Sequence, residues 1–493
     1  MRSSGILLPV SSLPGKTGIG TLGKEAYEFV DFLKAAGQTY WQVLPVGPTS
    51  YGDSPYQSFS TFAGNPYFID FDLLSEEGLL KKEEYEDIDW GDKEDRIDYG
   101  KIYENRYIVL RKAYERFDIK NKEYIKFIKN NKWVDDYALF MSLKNNHEGK
   151  CFLEWEKEYI HRDKKKIDEY INNNDKDISF YRFIQYCFFK QWFELKKYAN
   201  DKGIKIIGDC PIYVALDSVD VWSDPKLFLV DEDLKPSLVA GCPPDAFSDD
   251  GQLWGNPLYD WEYHDKTGYK WWIKRIDYAL KMYDTLRIDH FIGFSSYYAI
   301  EYGRENGRIG KRYKGPGMKL FKAVKKAIPD ASIIAEDLGV LDDDVRKLLK
   351  DCGFPGMKIL MFAFGDRNPD NEYLPHNMIR NCVTYIGTHD NEPIMAYREM
   401  LDKKTYSYAK KYIGCKSDKN FNRDMIRTLE SMVSDLCIIQ AQDILGLGME
   451  ARMNLPSATG NWQWRLKENQ LTKKDAKWLK SLAKMYGRIP KNK

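Results

Sequence analysis

A chain of 493 residues with 43% hydrophobic and 30% charged residues buries a large core and exceeds one compact domain, so one big domain with insertions or two domains are expected. Its 75 basic against 74 acidic residues leave a net charge of +1, which excludes the bulk positive field that nucleic acid or an anionic membrane selects. No window approaches the roughly 20 apolar residues of a membrane span, the first apolar run is too short for a signal peptide, and the eight scattered cysteines lack metal-ligand spacing, so a cytoplasmic protein with reduced thiols is expected.

In chain order, short runs of β-forming residues recur, each followed by Gly, Pro, Asp or His. They are "GILLPV" (5–10), "YWQVLPV" (40–46), "IKIIGDCPIYV" (204–214), "TLRIDHF" (285–291), "ASIIAEDLG" (331–339), "GMKILMFAF" (356–364), "CVTYIGTHD" (382–390) and "LCIIQAQDILGL" (436–447). Helix-like segments such as "KEAYEFVDFLKAAG" (24–37) separate most of them, which predicts parallel β/α order, and eight strands are the number that closes a barrel. Two gaps are too long for simple crossovers. Residues 70–200 read as a Lys/Glu/Tyr-rich helical insertion, and 215–270 as a Gly/Pro/Trp-rich, loop-rich insertion. The predicted fold is α/β: one (β/α)8 TIM barrel over 1–493, interrupted by the helical insertion and long active-site loops. The basic tail "RIPKNK" reads as a solvated terminus.

Catalytic groups of such a barrel lie at the C-terminal strand ends, which here carry Asp209, Arg287, Asp289, Glu336, Asp337, His389 and Asp390. Period-two alternation places Arg287 and Asp289 on one face, so the guanidinium is expected to lower the Asp289 pKa and keep a nucleophile ionised. Glu336 follows apolar residues with no neighbouring cation, and burial is expected to keep it protonated as a general acid. Two carboxylates with opposed tuning point to retaining glycoside chemistry, for which the pair lies roughly 5–5.5 Å apart. His389 and Asp390 suit hydrogen bonds to ring hydroxyls and stabilisation of positive charge at an anomeric carbon. Each feature alone also reads as an ion pair, a helix cap or a capped turn; their recurrence at successive strand mouths favours a site. The segments 51–67 and 241–261 combine Tyr and Trp with Asn, Gln and Ser, as a sugar cleft does, although packed turns share that composition. "GKTGIGTLG" (15–23) has the glycine density of a phosphate loop with the wrong spacing, and reads as a backbone-dominated loop beneath the first helix. No G-x-S-x-G or H-E-x-x-H occurs.

Taken together, "GILLPVSSLPGKTGIGTLG", "WQVLPVGPTSYGDSPYQSFSTFAGNPYFID", "CPPDAFSDDGQLWGNPLYDW", "LRIDHFIGF", "IIAEDLG", "YIGTHDN" and "RMNLPSATGNWQWR" resemble the 4-alpha-glucanotransferases (amylomaltases, disproportionating enzymes) of glycoside hydrolase family 77, relatives of the alpha-amylase clan. The resemblance implies Asp289 as nucleophile, Glu336 as general acid/base and Asp390 as a third, transition-state-stabilising carboxylate. It also implies Arg287 and His389 as donor-side sugar partners, with Asp209 and Tyr56 at the same subsite. Trp254 and Gln252 match acceptor-side residues, and Ser54 and Asn461 match outer sugar contacts. It further implies α-1,4-glucan donors and acceptors, maltooligosaccharides and glucose among them, and no separate C-terminal β-domain or N-terminal carbohydrate-binding module. Cys210 stands where an aliphatic residue is expected and reads as a small hydrophobe. No metal constellation is seen, so no cofactor is expected and activity should persist in chelator. A plain α-glucan hydrolase with the same carboxylates and a non-catalytic glycan-binding protein remain open alternatives.

Overall fold

The computed structural model describes residues 2–50, 52–244, 248–339, 341–456 and 458–489. The last four residues of the basic tail, and Tyr51 and residues 245–247 of the two aromatic segments, lie outside the described residues. Among the described residues twelve strands are formed: β1 Ser3–Leu7, β2 Tyr40–Gln42, β3 Lys205–Cys210, β4 Leu238–Cys242, β5 Gln252–Pro257, β6 Thr285–Ile288, β7 Ser296–Glu301, β8 Gly310–Lys314, β9 Ile333–Ala335, β10 Gly356–Ile359, β11 Cys382–Tyr385 and β12 Leu436–Gln440.

Each of the eight predicted runs supplies one strand of a parallel sheet ordered β10-β11-β12-β1-β2-β3-β6-β9. The open edges meet where the Ala335 N–H donates to the Pro355 carbonyl at 2.9 Å and the Met357 N–H donates to Asp337 Oδ1 at 2.6 Å, closing the (β/α)8 barrel. Asp337, a candidate site carboxylate from sequence, therefore staples β9 to β10. Strands β6, β9 and β11 are buried along their whole length, as parallel strands covered on both faces are, which is why continuous apolar runs marked them. The strands stop before the runs do. In "TLRIDHF" the ladder ends at Ile288, and His290 adopts a left-handed conformation (φ 50°, ψ 47°) that turns the chain out of the sheet.

Between β2 and β3 lie helices Phe71–Glu76, Tyr99–Glu115, Lys122–Asn130, Trp133–Asn146, Lys157–Ile160 and the 38-residue Lys164–Asp201. The last helix is bent at Asn174 (φ −124°, ψ 22°), and its C-terminal part is the crossover that returns the chain to β3. There Trp192 Nε1 donates to the Met282 carbonyl at 3.1 Å. Gln185 and Gln191, both buried, exchange paired hydrogen bonds with the backbones of Gly64 and Asp70. Gly64 is required: a Cβ there would sit 1.9 Å from the Phe188 ring. The loop that carries Ser54 and Tyr56 is thus anchored at its exit to the crossover helix.

The stretch 215–270, expected to be loop-rich, contains β4 and β5. They join β7 and β8 in an antiparallel sheet ordered β5-β4-β7-β8. Short strands interrupted by Gly and Pro, such as "QLWGNP", leave too little alternation to be seen from sequence. Among the described residues no helix is long and apolar enough to cross a membrane.

Candidate active site

A cleft of about 1620 Å³ opens at the C-terminal ends of the barrel strands. Its lining includes Ser54, Tyr56, Gln252, Trp254, Arg287, Asp289, Glu336, His389, Asp390 and Asn461, so ten of the eleven site residues that the family resemblance implies share one cavity. The exception is Asp209. Its side chain is sealed from solvent and does not line the cleft. Asp209 Oδ2 instead accepts from the Tyr56 hydroxyl at 2.7 Å and from Arg287 Nη1 at 2.6 Å.

Arg287 is the electrostatic centre. Nη1 reaches Asp209 on the adjacent strand, Nη2 reaches Asp289 Oδ1 at 2.9 Å, and Nε faces the Met357 sulfur at 3.4 Å. The predicted pairing of Arg287 with Asp289 is present; its predicted consequence is not. Withdrawal from bulk water holds the Asp289 pKa well above the usual carboxylate range, with Asp209, Glu336 and Asp390 reinforcing it and Arg287 opposing it. One guanidinium is shared between two carboxylates, and the buried Asp209 takes the shorter contact.

Glu336 is also pushed up, by burial first, but it is less isolated than its sequence context suggested. Oε2 accepts from the His290 N–H and Oε1 from the Leu338 N–H, both at 2.7 Å, and these donors together with Arg287 favour its charged form. Each carboxyl is thus pushed up by burial and pulled down by Arg287, and Glu336 is among the charges that raise Asp289. The two carboxyls are held differently: Asp289 makes a direct charge-assisted contact to Arg287, whereas Glu336 accepts from two neutral backbone N–H groups.

Aromatic side chains frame this cluster. Tyr56 stacks on His389 (centroids 5.2 Å, 16°), and burial lowers the His389 pKa, leaving a neutral ring with Nε2 3.3 Å from Asp390 Oδ2. On the opposite wall, Trp254 meets His290 edge-on at 4.8 Å and donates from Nε1 to Gln252 Oε1 at 3.0 Å. Burial pushes His290 down to about 4. Strand β5 supplies Gln252 and Trp254 together, which is the structural service of the antiparallel sheet. Ser54 Oγ accepts from the Tyr56 N–H at 3.2 Å, capping its own turn. Asn461 faces the cleft, and its amide binds the backbone of Leu455 and Ala458.

Several contributors were not visible in the sequence. The His290 backbone amide holds the Glu336 carboxylate, and a left-handed non-glycine carries no sequence signal. Asn454 Nδ2 donates to Asp390 Oδ1 at 2.6 Å across 64 residues of chain. The helical insertion also lends Tyr103, Tyr107 and Tyr181 to the cleft wall, and the Tyr103 hydroxyl bonds Asp53. The "GKTGIGTLG" loop turns carbonyls, not amides, towards buried cations: Arg106 binds the Thr17 carbonyl at 3.2 Å and Arg465 the Gly15 carbonyl at 2.7 Å. That polarity is the reverse of a phosphate cradle.

A family model described as 4-alpha-glucanotransferase, glycoside hydrolase family 77, matches residues 8–472. The chain is 51% identical over 484 residues to the 4-alpha-glucanotransferase of Clostridium butyricum, covering 97% of this chain and 99% of that one. It is 38% identical to the chloroplastic/amyloplastic 4-alpha-glucanotransferase of Solanum tuberosum, over 99% of this chain and 87% of that one. A solved amylomaltase from Streptococcus agalactiae, in complex with acarbose, superposes with a TM-score of 0.97 at 45% identity, covering 99% of this chain and all of that one. With matches spanning nearly its full length in sequence and in fold, the chain belongs to the 4-alpha-glucanotransferase family, glycoside hydrolase family 77.

Proposed function

We propose that this protein transfers α-1,4-linked glucan segments between maltooligosaccharides or starch-type glucans, with Asp289 as nucleophile, Glu336 as general acid/base and Asp390 as the carboxylate that stabilises developing positive charge. The observation that carries the assignment is the shared cleft, where Arg287 grips Asp289 and burial pushes the Glu336 carboxyl up towards the protonated form a general acid needs. Glu336 donates its proton to the glycosidic oxygen. The free Oδ2 of Asp289 attacks the anomeric carbon from the opposite face, and the bond to the leaving sugar breaks with its electron pair. Glu336, now ionised, takes the proton of an acceptor 4-hydroxyl, whose oxygen displaces Asp289 and restores the original anomeric configuration.

Transfer requires a sugar to outcompete roughly 55 M water, so the acceptor must be bound and oriented. The Trp254–Gln252 wall beside His290 suits that task, with a ring face and edge for the sugar and a neutral amide for its hydroxyls. Six of the eight cysteines are buried, which is consistent with a reduced, cytoplasmic setting. Incubation with maltotriose separates transfer from hydrolysis. Glucose with a ladder of longer maltooligosaccharides is expected; glucose and maltose alone would sink the transferase assignment.

A further inference from the structure

Asp390 is oriented differently from its neighbours. Its side chain is 38% exposed to the cleft, and among the described residues no lysine or arginine pairs with its carboxylate; the nearest titratable partner is His389, which burial keeps neutral. Oδ1 is held instead by Asn454 Nδ2 at 2.6 Å. The Asn454 N–H also donates to the His389 carbonyl at 3.1 Å. Behind it, Arg452 Nε donates to the Asn454 carbonyl at 2.9 Å, Nη2 donates to the Asp390 carbonyl at 2.8 Å, and Nη1 pairs with Glu392 at 2.6 Å. The Asp390 turn is therefore held at its side chain and its backbone by one short segment, 452–454.

We propose that Asn454 is a positioning residue for the transfer reaction, fixing the orientation of the Asp390 carboxylate through a neutral amide, with Arg452 holding Asn454 in place. The neutrality is the point of the arrangement. A lysine or arginine in that position would also orient Asp390, but it would cancel the negative charge that a developing oxocarbenium ion needs nearby. An amide donor restricts the side-chain torsions and leaves the charge intact. The same segment supports the cleft wall, since the Trp462 N–H donates to the Met453 carbonyl at 2.8 Å and Asn461 ties to Leu455. A glucan seated against Trp462 thus rests on the frame that aims Asp390.

This inference rests on the role assigned to Asp390 above, and the test separates the two. Asn454→Ala is expected to lower kcat on maltotriose about 10- to 100-fold with KM nearly unchanged, the scale of a misplaced catalytic group. Asn454→Asp keeps the side-chain shape but sets a second carboxylate against Asp390; kcat should fall further and the acid limb of the pH profile should move up, because like charges raise each other's pKa. The charged and titratable groups facing Asp390 are His389, Asp289, Tyr56 and, on the far side of the turn, Arg452 with Glu392. A merely structural asparagine would leave kcat of a folded Asn454→Ala at the wild-type value. Melting temperatures of both variants are read in parallel; if Asn454→Ala unfolds, a folded Asn454→Asp with a wild-type pH profile still overturns the proposal. Asp390→Asn is the control: if it keeps turnover, the role given to Asp390 is wrong, and if it is inactive while both Asn454 variants match wild type, only the positioning role falls.

Discussion

The barrel buries one arginine–carboxylate cluster at each end, and the two are built from the same chemical parts to opposite effect. At the base, Arg488 and Glu430 are fully buried 3.2 Å apart. Arg488 also donates to the carbonyls of Glu430, Ser3, Ser434 and Met432, tying the chain end that follows helix Lys473–Met485 to the strand starts. At the mouth, Arg287 confronts Asp209 and Asp289, with Glu336 and Asp390 close enough to raise the Asp289 pKa. The base excludes water and sets two guanidiniums, Arg488 and Arg2, about Glu430, so its charges act as a clamp. The mouth carries more carboxylate than cation and opens on a cleft, so protons there are exchangeable. Buried charge marks a site where it is reachable from a cleft.

The comparison is broken most severely by removing the reactive carboxylates. Asp289→Asn and Glu336→Gln should each reduce turnover on the order of 10⁴-fold or more while glucan binding, measured by calorimetry, and melting temperature stay near wild type. Unchanged product formation by either variant would remove that residue from the chemistry.

Exchanging the two arginines sharpens the contrast. Arg287→Gln takes away the cation that opposes the raised pKa values of Asp289 and Glu336, so the acid limb of kcat/KM should move up by about 1–3 units, the usual effect of an arginine on a neighbouring carboxylate. Arg488→Met should leave the pH profile alone and destabilise the fold by about 3–5 kcal/mol, the cost of orphaning a buried partner, read by chemical denaturation. A shifted pH profile in Arg488→Met would show that the two ends are coupled.

The smallest effect concerns Glu430, whose pKa burial pushes up to about 7 despite Arg488. A carboxyl with a raised folded-state pKa binds its proton more tightly when folded. Stability should therefore decline as pH rises from the unfolded value near 4.3 towards 7 and level off above it. Glu430→Gln should flatten that slope in melting temperature against pH, and an unaltered slope would assign it to other groups.

Much of the fold was legible because its signals are local. Runs such as "CVTYIGTHD" stay apolar through a strand buried on both faces and then turn polar at the barrel mouth, so one stretch reports both an element and its functional end. Strands β4 and β5 had no such signal, since a short, bulged strand carrying Gly and Pro reads like a loop until β7 pairs with it. Asp337 and Glu336 are adjacent in sequence and equally acidic, yet one staples strands and the other faces the cleft. Neighbouring strand-end residues point to different sides, and only the closed barrel says what lies on each.

By itself the sequence determined the eight strands, their parallel order and the carboxylates at their ends, because periodicity and burial pattern are properties of contiguous residues. Tertiary structure decided which of those carboxylates face the cleft and which is sealed away. Arg287 and Asp209 are 78 residues apart in the chain and 2.6 Å apart in space. Desolvation and Coulomb energy depend on that second distance, and nothing in the first predicts it.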